Sequence, residues 1–353
     1  MRFLFALFSL VLFAKEPIDV LFYLQDAGET YALLPVIEKM KEEGFSLRIL
    51  TAGLAEELVQ SPDKRLFSDY GVSVRVDKSW SRPQTLGCLG RLTEEIEPKV
   101  VVTGVAYVLQ GQVLKAFKKR GASTYAFWDN FSAGGENPYF ATARRVARVA
   151  DTLLLPSKEL LSSFPKSSCK VVGQPTLEEW SRKVKSSDVS ALRNKLGIDP
   201  DQKVALFIGG YGADFDAAYE LFLKCAETSD TTFLIQPHPK IGRMEGFGHR
   251  VLQGEVSAQE AVALADLVLC HQSTVSIQAL ASGKAVIHII PKGQHFDSIP
   301  IQKKLAQVVS SPEEFNAALN ETLAPPAHFY EMMGLPEEST ALFTEVLKEA
   351  IRS

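Results

Sequence analysis

Cysteine is scarce in this chain, and the four present, Cys88, Cys169, Cys225 and Cys270, stand far apart. They show no CxxC or CxH spacing, so neither a zinc module nor a disulfide framework is indicated. Cys270, set in an apolar run, reads as core. Positive charge is not in excess either. The 38 Lys and Arg face 42 Asp and Glu, a formal net charge of −4, which gives no electrostatic case for nucleic acid as a partner. Histidine is missing from everything before His238, so an acid or base in that part of the chain must be a carboxylate. There is no GxGxxG fingerprint and no short repeat. The apolar run Phe3–Ala14 is too short to span a bilayer comfortably.

What is present fits a soluble globular protein. Of the 353 residues 46% are apolar and 23% charged, enough for sizeable cores and, by length, about two domains. Residues 1–16 stand apart. One positive charge, Arg2, precedes FLFALFSLVLFA and then Lys15-Glu16-Pro17, which reads as a secretory signal peptide. With Ala14 before the cut, Leu12 occupies a position that prefers a small residue, so a short membrane-surface anchor is the competing reading. The first reading places the mature chain outside the cytoplasm, the second at a membrane; without either the chain is cytoplasmic.

From Pro17 onward strands and helices alternate. Ile18–Leu24 reads as a first parallel strand, Asp26–Tyr31 as a turn and Tyr31–Glu43 as an amphipathic helix stopped at Gly44, with Pro35 early in it. Strands are expected at Phe45–Leu50, Val72–Val76, Val100–Thr103, Ser123–Trp128 and Thr152–Leu155, and helices at Leu54–Gly71, Arg91–Glu97, Leu109–Arg120 and Ala141–Ala150. Cys169–Pro175, CKVVGQP, ends this half. Glu178–Asp188 reads as a charged linker, and Val189–Leu196 as a helix ending at Gly197. The alternation then restarts with strands Val204–Ile208 and Thr232–Ile235 and helices Phe215–Cys225 and Ser257–Ala265, the last with a capping box. Ser311-Pro312 opens another helix with the same box, and Leu335–Ser353 reads as a final one. This is an α/β chain of two Rossmann-like domains, residues 17–177 and 178–334, followed by a C-terminal helix at 335–353.

The stretch Asp266–Ile290 organises the second half. Two apolar strands, Leu267–Cys270 and Ala285–Ile290, flank a helix of two or three turns that Gly283 can end. Its turn, His271-Gln272-Ser273-Thr274, puts hydroxyl residues where a helix start leaves N–H groups unpaired. Such an end suits a phosphate, although the commoner role of Ser or Thr there is a plain cap. Two more turns leave the same sheet edge, Gly209–Asp214 with Gly209, Gly210 and Gly212, and Pro237–Lys240 with His238 and Lys240. Ligands of open α/β sheets bind at that edge. In the first half, Asp129-Asn130-Phe131-Ser132 also leaves a strand end. The basic set Arg144, Arg145 and Arg148 could meet phosphate or a membrane surface, or be an ordinary solvated helix face.

The layout resembles the GT-B superfamily of glycosyltransferases and the related sugar-nucleotide 2-epimerases. QSTVSIQALASGKAVI, Gln272–Ile287, resembles the SGTATLEAALLGTP stretch of lipid-A-disaccharide synthases. CKVVGQP resembles the segment that closes the N-terminal domain there, and AGE at Ala27–Glu29 resembles that family's first glycine loop. LRNKLGI before VALFIGG fits the same scheme. QPHPK is similar to the HP element of polyglycerol-phosphate transferases and 2-epimerases.

The resemblance implies a nucleotide diphosphate, UDP-linked, on Ser273 and Thr274, with Gly209–Gly212, His238, Lys240 and His271 nearby. It places Gln278 where such enzymes commonly carry a ribose-holding glutamate, a departure that bears on nucleotide affinity. The second domain would hold this donor and the first an acceptor. Candidate bases are Asp26, Glu29 and Asp129, since a carboxylate in a dry cleft can have its pKa raised enough to serve; each also has a plain role as cap or turn residue. The main expectation is a transferase that moves a glycosyl or polyol-phosphate group from a nucleotide sugar to a glycan or lipid-linked envelope acceptor, with no metal and no further cofactor. A non-hydrolysing 2-epimerase and a non-catalytic exported solute-binding protein are the alternatives.

Overall fold

Short, largely apolar runs, each too short for a buried helix, form two parallel sheets with shorter strands at their edges. The computed structural model describes residues 15–53, 55, 75–76, 82–132, 137, 139–210, 213–227, 231–238, 244–296, 298–321 and 327–353. The first sheet contains β1 (Glu16–Leu24), β2 (Leu47–Ala52), β3 (Arg75–Val76), β4 (Ile96–Thr103), β5 (Ser123–Phe127), β6 (Thr152–Leu155) and β7 (Cys169–Val171), in the order β3-β2-β1-β4-β5-β6-β7. The second contains β8 (Val204–Ile208), β9 (Thr232–Gln236), β10 (Arg250–Val251), β11 (Leu267–Cys270), β12 (Ala285–Ile289) and β13 (Gln307–Val309), in the order β10-β9-β8-β11-β12-β13. All pairings are parallel, with Val20 opposite both Leu47 and Val100, and Val268 opposite both Leu206 and Val286. These are two Rossmann-like domains.

Helices cover both faces of the first sheet. On one side α1 (Ala27–Glu42) buries Leu33, Val36, Ile37 and Met40 against Val20, Phe22 and Val100. On the other lie α2 (Arg82–Glu95), α3 (Val108–Lys118) and α4 (Phe140–Ala147), whose Leu89, Leu92, Val113, Leu114, Phe117, Ala143 and Val146 meet Leu21, Tyr23 and Val101. In the second domain α7 (Ala213–Ala226) and α11 (Pro312–Asn320) cover one face through Phe215, Phe222 and Phe315. On its other face lie α8 (Ala258–Leu264) and α9 (Val275–Ala281), and a short α10 (Ile299–Gln302) precedes β13. Gly197 and Gly283 stand at φ of 63° and 80°, ending α6 (Val189–Leu196) and α9 as expected.

Four expectations are corrected. Glu178–Asp188 is no linker: α5 (Pro175–Ser186) runs through it, with Leu177, Trp180, Ser181 and Val184 buried on one face. It packs on α1 of the first domain and on α8 and α9 of the second. The helix expected at Arg91–Glu97 is α2, which ends at Glu95, and β4 starts at Ile96, four residues before Val100. The final helix, expected from Leu335, starts at Ser339. A short α12 (Phe329–Met333) stops at Gly334, and α13 (Ser339–Arg352) begins past Pro336, a residue that cannot continue a helix ladder. At Ser311 the hydroxyl accepts from Glu314 N as expected, but the Glu314 carboxylate accepts from Ser310 N instead of closing the box on Ser311. The helix expected over Leu54–Gly71 lies, apart from Ala55, outside the described residues.

The last helix returns to the first domain. Phe343, Val346 and Leu347 of α13 are buried beside α1, and the Phe343 ring meets Phe127 edge-on at 5.3 Å. Glu178 of α5 holds its start, accepting from Thr340 N at 3.1 Å and Thr340 Oγ1 at 2.8 Å.

Candidate functional site

In each sheet the strand order reverses direction at one point, and there the connections on either side leave to opposite faces and open a crevice at the strands' C-terminal ends. In the first sheet that point lies between β1 and β4, in the second between β8 and β11. The candidate residues cluster at these two places.

At the first, β1 ends in Gln25-Asp26 and α1 begins. Asp26 is the N-cap, its Oδ1 accepting from Ala27 N at 2.8 Å. Glu29, three residues on, completes the box by accepting from Asp26 N at 3.1 Å and from Gln25 N. Both therefore carry the capping role. Glu29 does more than cap, because its side chain is turned inward and is 2% exposed. Gln110 Nε2 of α3 donates to both of its oxygens, at 2.8 Å and 2.6 Å. Gln110 is itself fixed, since its Oε1 accepts from Tyr107 N at 2.8 Å. Every polar neighbour of the Glu29 carboxyl is thus a donor, which favours the ionised form. Burial opposes this most strongly and, with the Asp129 charge, pushes the carboxyl up to about 8.

Asp129 follows β5, next to β4. It keeps some surface at its rim but is surrounded by protein. Burial, then the charge of Asp26, raises it to about 6. It does not form the expected turn with Asn130; Asn130 Oδ1 makes that turn itself by accepting from Ser132 N at 2.9 Å. Two glycines hold the carboxylates in place by having no side chain. A β-carbon on Gly28 would overlap Asp129 Oδ2, and one on Gly104, at the end of β4, would land on the Glu29 carboxyl and within 2.9 Å of Gln110 Nε2. Gln174, before α5, donates from Nε2 to Asp129 O at 2.8 Å, and its Oε1 is buried with no hydrogen-bond partner. Tyr107 stands near Asp26 and Glu29, and its phenol is raised to about 12 by burial and then by Asp26.

At the second point the turns after β9, β8 and β11 lie side by side, because those strands are neighbours. Gly209 N donates to Gln236 O at 2.8 Å, and a β-carbon on Gly209 would meet His238 N at 2.9 Å. One on Gly210 would meet the Phe215 ring at 2.6 Å. Both glycines are thus required by the protein's own packing, whatever binds there. Ser273 Oγ accepts from Val275 N at 3.2 Å and Ser273 O from Ser276 N at 3.2 Å, so Ser273 caps α9. The Thr274 side chain makes no cap bond and is exposed. Gln278 is partly exposed one turn further along. His271 is 5% exposed, and its Nε2 is buried without a partner. Below it His288, driven down to about 4 by burial, donates from Nδ1 to His271 O at 2.7 Å. Gly212 and Lys240 lie outside the described residues.

The structure therefore brings Asp26, Glu29 and Asp129 together at one switch point, and Gly209, Gly210, His238, His271, Ser273 and Thr274 at the other. Sequence reasoning missed Gln110, Gln174, Gly28, Gly104 and Gln294. Gln174 sat within CKVVGQP, a segment already singled out, whereas Gln110 and Gly104 carry no local motif. Gln294 touches His271 and donates to Asp214 O at 3.0 Å, tying the loop after β12 to the start of α7.

Among the described residues no group of three or more His, Cys, Asp or Glu could hold a metal ion, and no helix is long and apolar enough to cross a membrane. No protein-family model matches the chain, and no curated protein matches it by sequence. Solved structures do. The UDP-GlcNAc 2-epimerase of Neisseria meningitidis, bound to UDP-GlcNAc, superposes with a TM-score of 0.68 at 14% identity, covering 94% of this chain and 100% of its own. The UDP-GlcNAc 2-epimerase of Methanocaldococcus jannaschii gives 0.67 at 13% identity, with coverage of 94% and 100%. The wall teichoic acid polymerase TagF gives 0.58 at 12%, with coverage of 95% and 89%. All are GT-B proteins, and at these identities the likeness speaks for architecture alone. With its two Rossmann-like domains, their reversal points and the helix that crosses back, this chain has the GT-B fold.

Proposed function

We propose that the chain is a GT-B enzyme acting on a nucleotide-diphosphate sugar, which it holds at the second switch point by Ser273, Thr274 and the neighbouring turns after β8 and β9. The observation that carries this reading is the coincidence of two candidate clusters with the two places where an open α/β sheet forms a ligand crevice. The reaction that fits best is transfer of a glycosyl or polyol-phosphate group to an acceptor hydroxyl held at the first domain, with a glycan or lipid-linked acceptor. Asp129 is the base. Its carboxylate is raised to about 6 and has no side-chain partner among the described residues, so near neutral pH it is ionised and free to take a proton. Glu29, saturated by donors, orients the site. The leaving diphosphate is neutralised by turn N–H groups and nearby cationic side chains.

One observation favours a second reading, epimerisation of the nucleotide sugar itself. Between pH of about 6 and about 8, Asp129 is ionised while Glu29 holds its proton. Two carboxyls pushed apart in this way provide a base and an acid in one place.

Thermal unfolding with uridine, cytidine and guanosine diphosphates and their sugars, beside Thr274→Ala, tests donor binding. A ligand at a hundred times its dissociation constant adds about 2.7 kcal/mol. The shift should appear with one base and shrink in the variant; no shift with any nucleotide at millimolar concentration rejects the reading. Incubation in D2O without acceptor then separates the two reactions, because deuterium entering the sugar of recovered nucleotide sugar signals epimerisation.

A further inference from the structure

The basic residues of the first domain are absorbed by none of this chemistry, and they are not scattered. Lys115 and Lys118 lie on the outer side of α3, with Lys119 and Arg120 in the turn after it. Arg144, Arg145 and Arg148 lie on or just past α4, which packs beside α3, and Lys166 follows in the turn before β7; all eight are exposed. Inward, the same two helices bury Val113, Leu114, Phe117, Ala143 and Val146. Of these eight, Lys118 alone has an ion-pair partner among the described residues, Asp151 at 2.6 Å. Arg144 stacks over the Phe140 ring at 5.7 Å, and with Arg148 and Lys166 it rims a notch floored by Phe164. A chain of net charge −4 thus presents, on one face, seven cations without an ion-pair partner among the described residues. Like charges gathered so closely repel one another and favour an anionic surface opposite.

We propose that this face of α3, α4 and the turn at 164–167 docks the protein on an anionic phospholipid bilayer. Charge alone would also suit nucleic acid, and the topology decides against it. Lys119 and Arg120 precede β5, Arg148 precedes β6 and Lys166 precedes β7, so these cations sit at the strand-start edge of the first sheet. At that same edge the chain enters β1 directly from the apolar run Phe3–Ala14, flanked by Arg2 and Lys15. One apolar insertion or one basic patch holds a protein to a bilayer only marginally, and the two together hold it stably. The acids Glu16, Asp19 and Asp151 at this edge are each paired, with Arg48, Lys99 and Lys118. The exposed Glu95, at the end of α2, and Glu97, in β4, lie at this edge between β1 and the cations beside β5, β6 and β7. Docking by this edge directs the opposite edge, with Asp26, Glu29 and Asp129, away from the lipid surface, which suits a glycan acceptor rather than one anchored in the same bilayer. The proposal does not depend on what those carboxylates do.

The test is co-sedimentation of the full chain with vesicles of phosphatidylcholine alone and with about one third phosphatidylglycerol, at about 0.1 M salt. Partitioning should be at least about tenfold higher on the anionic vesicles and fall when salt is raised to about 0.5 M. It should fall at least about tenfold in Arg144→Glu/Arg145→Glu/Arg148→Glu, whose far-UV circular dichroism should still show a folded chain, although loss of the Arg144–Phe140 contact and of positive charge at the end of α4 lowers its melting temperature somewhat. Lys115→Gln/Lys119→Gln/Arg120→Gln is the second variant, expected to act in the same direction. Equal binding to both vesicle types, or binding unchanged in the variants, would show that the apolar run alone suffices and would overturn the proposal. Retention on duplex DNA or single-stranded RNA without vesicle binding would overturn it in favour of nucleic acid.

Discussion

Alanine at position 104 should be far more damaging than the addition of one methyl suggests. Its β-carbon would occupy the place of the Glu29 carboxyl, which cannot retreat because it is packed at 2% exposure. Once displaced, the carboxyl abandons three donors, the N–H groups of Gln25 and Asp26 and Nε2 of Gln110. A buried donor left unpaired costs about 1–3 kcal/mol; two of these three lie near the surface and recover water, so roughly 3 kcal/mol is a fair total. Removing a glycine also restricts the unfolded chain, which returns about 0.5–1 kcal/mol. The net expectation is a loss of about 2–3 kcal/mol. Gly111→Ala is the matched control. It lies inside α3, its β-carbon would rest 3.5 Å from Val146 Cγ2 in ordinary contact, and helix propensity should stabilise it by about 0.5–1 kcal/mol. Urea unfolding of both variants, followed by far-UV circular dichroism, measures the difference. If Gly104→Ala lies within about 0.5 kcal/mol of wild type, the carboxyl is not held as described and the account of this site fails.

Three further outcomes follow from the same geometry. Gly28→Ala should leave stability nearly unchanged but turn the Asp129 carboxylate aside, lowering kcat by about the 10²–10⁴ expected for Asp129→Asn; wild-type kcat/KM should rise with pH through about 6 as Asp129 loses its proton, and full activity in Gly28→Ala would contradict the assignment. Stability should fall as pH rises, because Glu29 and Asp129 bind protons more tightly folded than unfolded: the decline begins near the ordinary values of 4.5 and 3.8 and ends above about 8 and about 6. For Glu29 that gap is worth at most roughly 5 kcal/mol, and Glu29→Gln should abolish the decline above about pH 6; a curve of unchanged slope would refute it. Glu178→Ala should cost about 1–2 kcal/mol through loss of its bonds to Thr340 and should open α13 to proteolysis at 334–338, so an unaltered digestion pattern would count against the cap.

Much of this fold was legible because buried parallel strands leave a plain mark. Val204–Ile208 and Leu267–Cys270 are uninterrupted apolar runs and were placed to the residue. The failures came where one surface masked another. In Glu178–Asp188 the charges of Glu178, Glu179, Arg182, Lys183 and Lys185 hid an apolar stripe at Leu177, Trp180 and Val184, whose spacing is helical. At Ile96–Lys99 burial alternates residue by residue, so the strand begins with a polar pattern that obscured its start. Asp26, Glu29 and Asp129 could be guessed because they follow strand ends. Gln110 could not, since its role arises 81 residues from Glu29 and exists only once α1 and α3 both stand at the ends of their neighbouring strands.

The return of α13 to the first domain has a consequence for how the chain is made. Translation delivers the seven strands of the first sheet long before Phe343, Val346 and Leu347, which close one of its faces. A nascent chain that has emerged through β7 therefore carries an open apolar wall beside α1, and must keep it for more than 150 further residues. At about 5–20 residues per second that exposure lasts on the order of ten seconds or more. The first domain is the first to be synthesised and the last to be finished, and during that interval the unfinished wall is the natural place for a chaperone to bind or for two nascent chains to adhere.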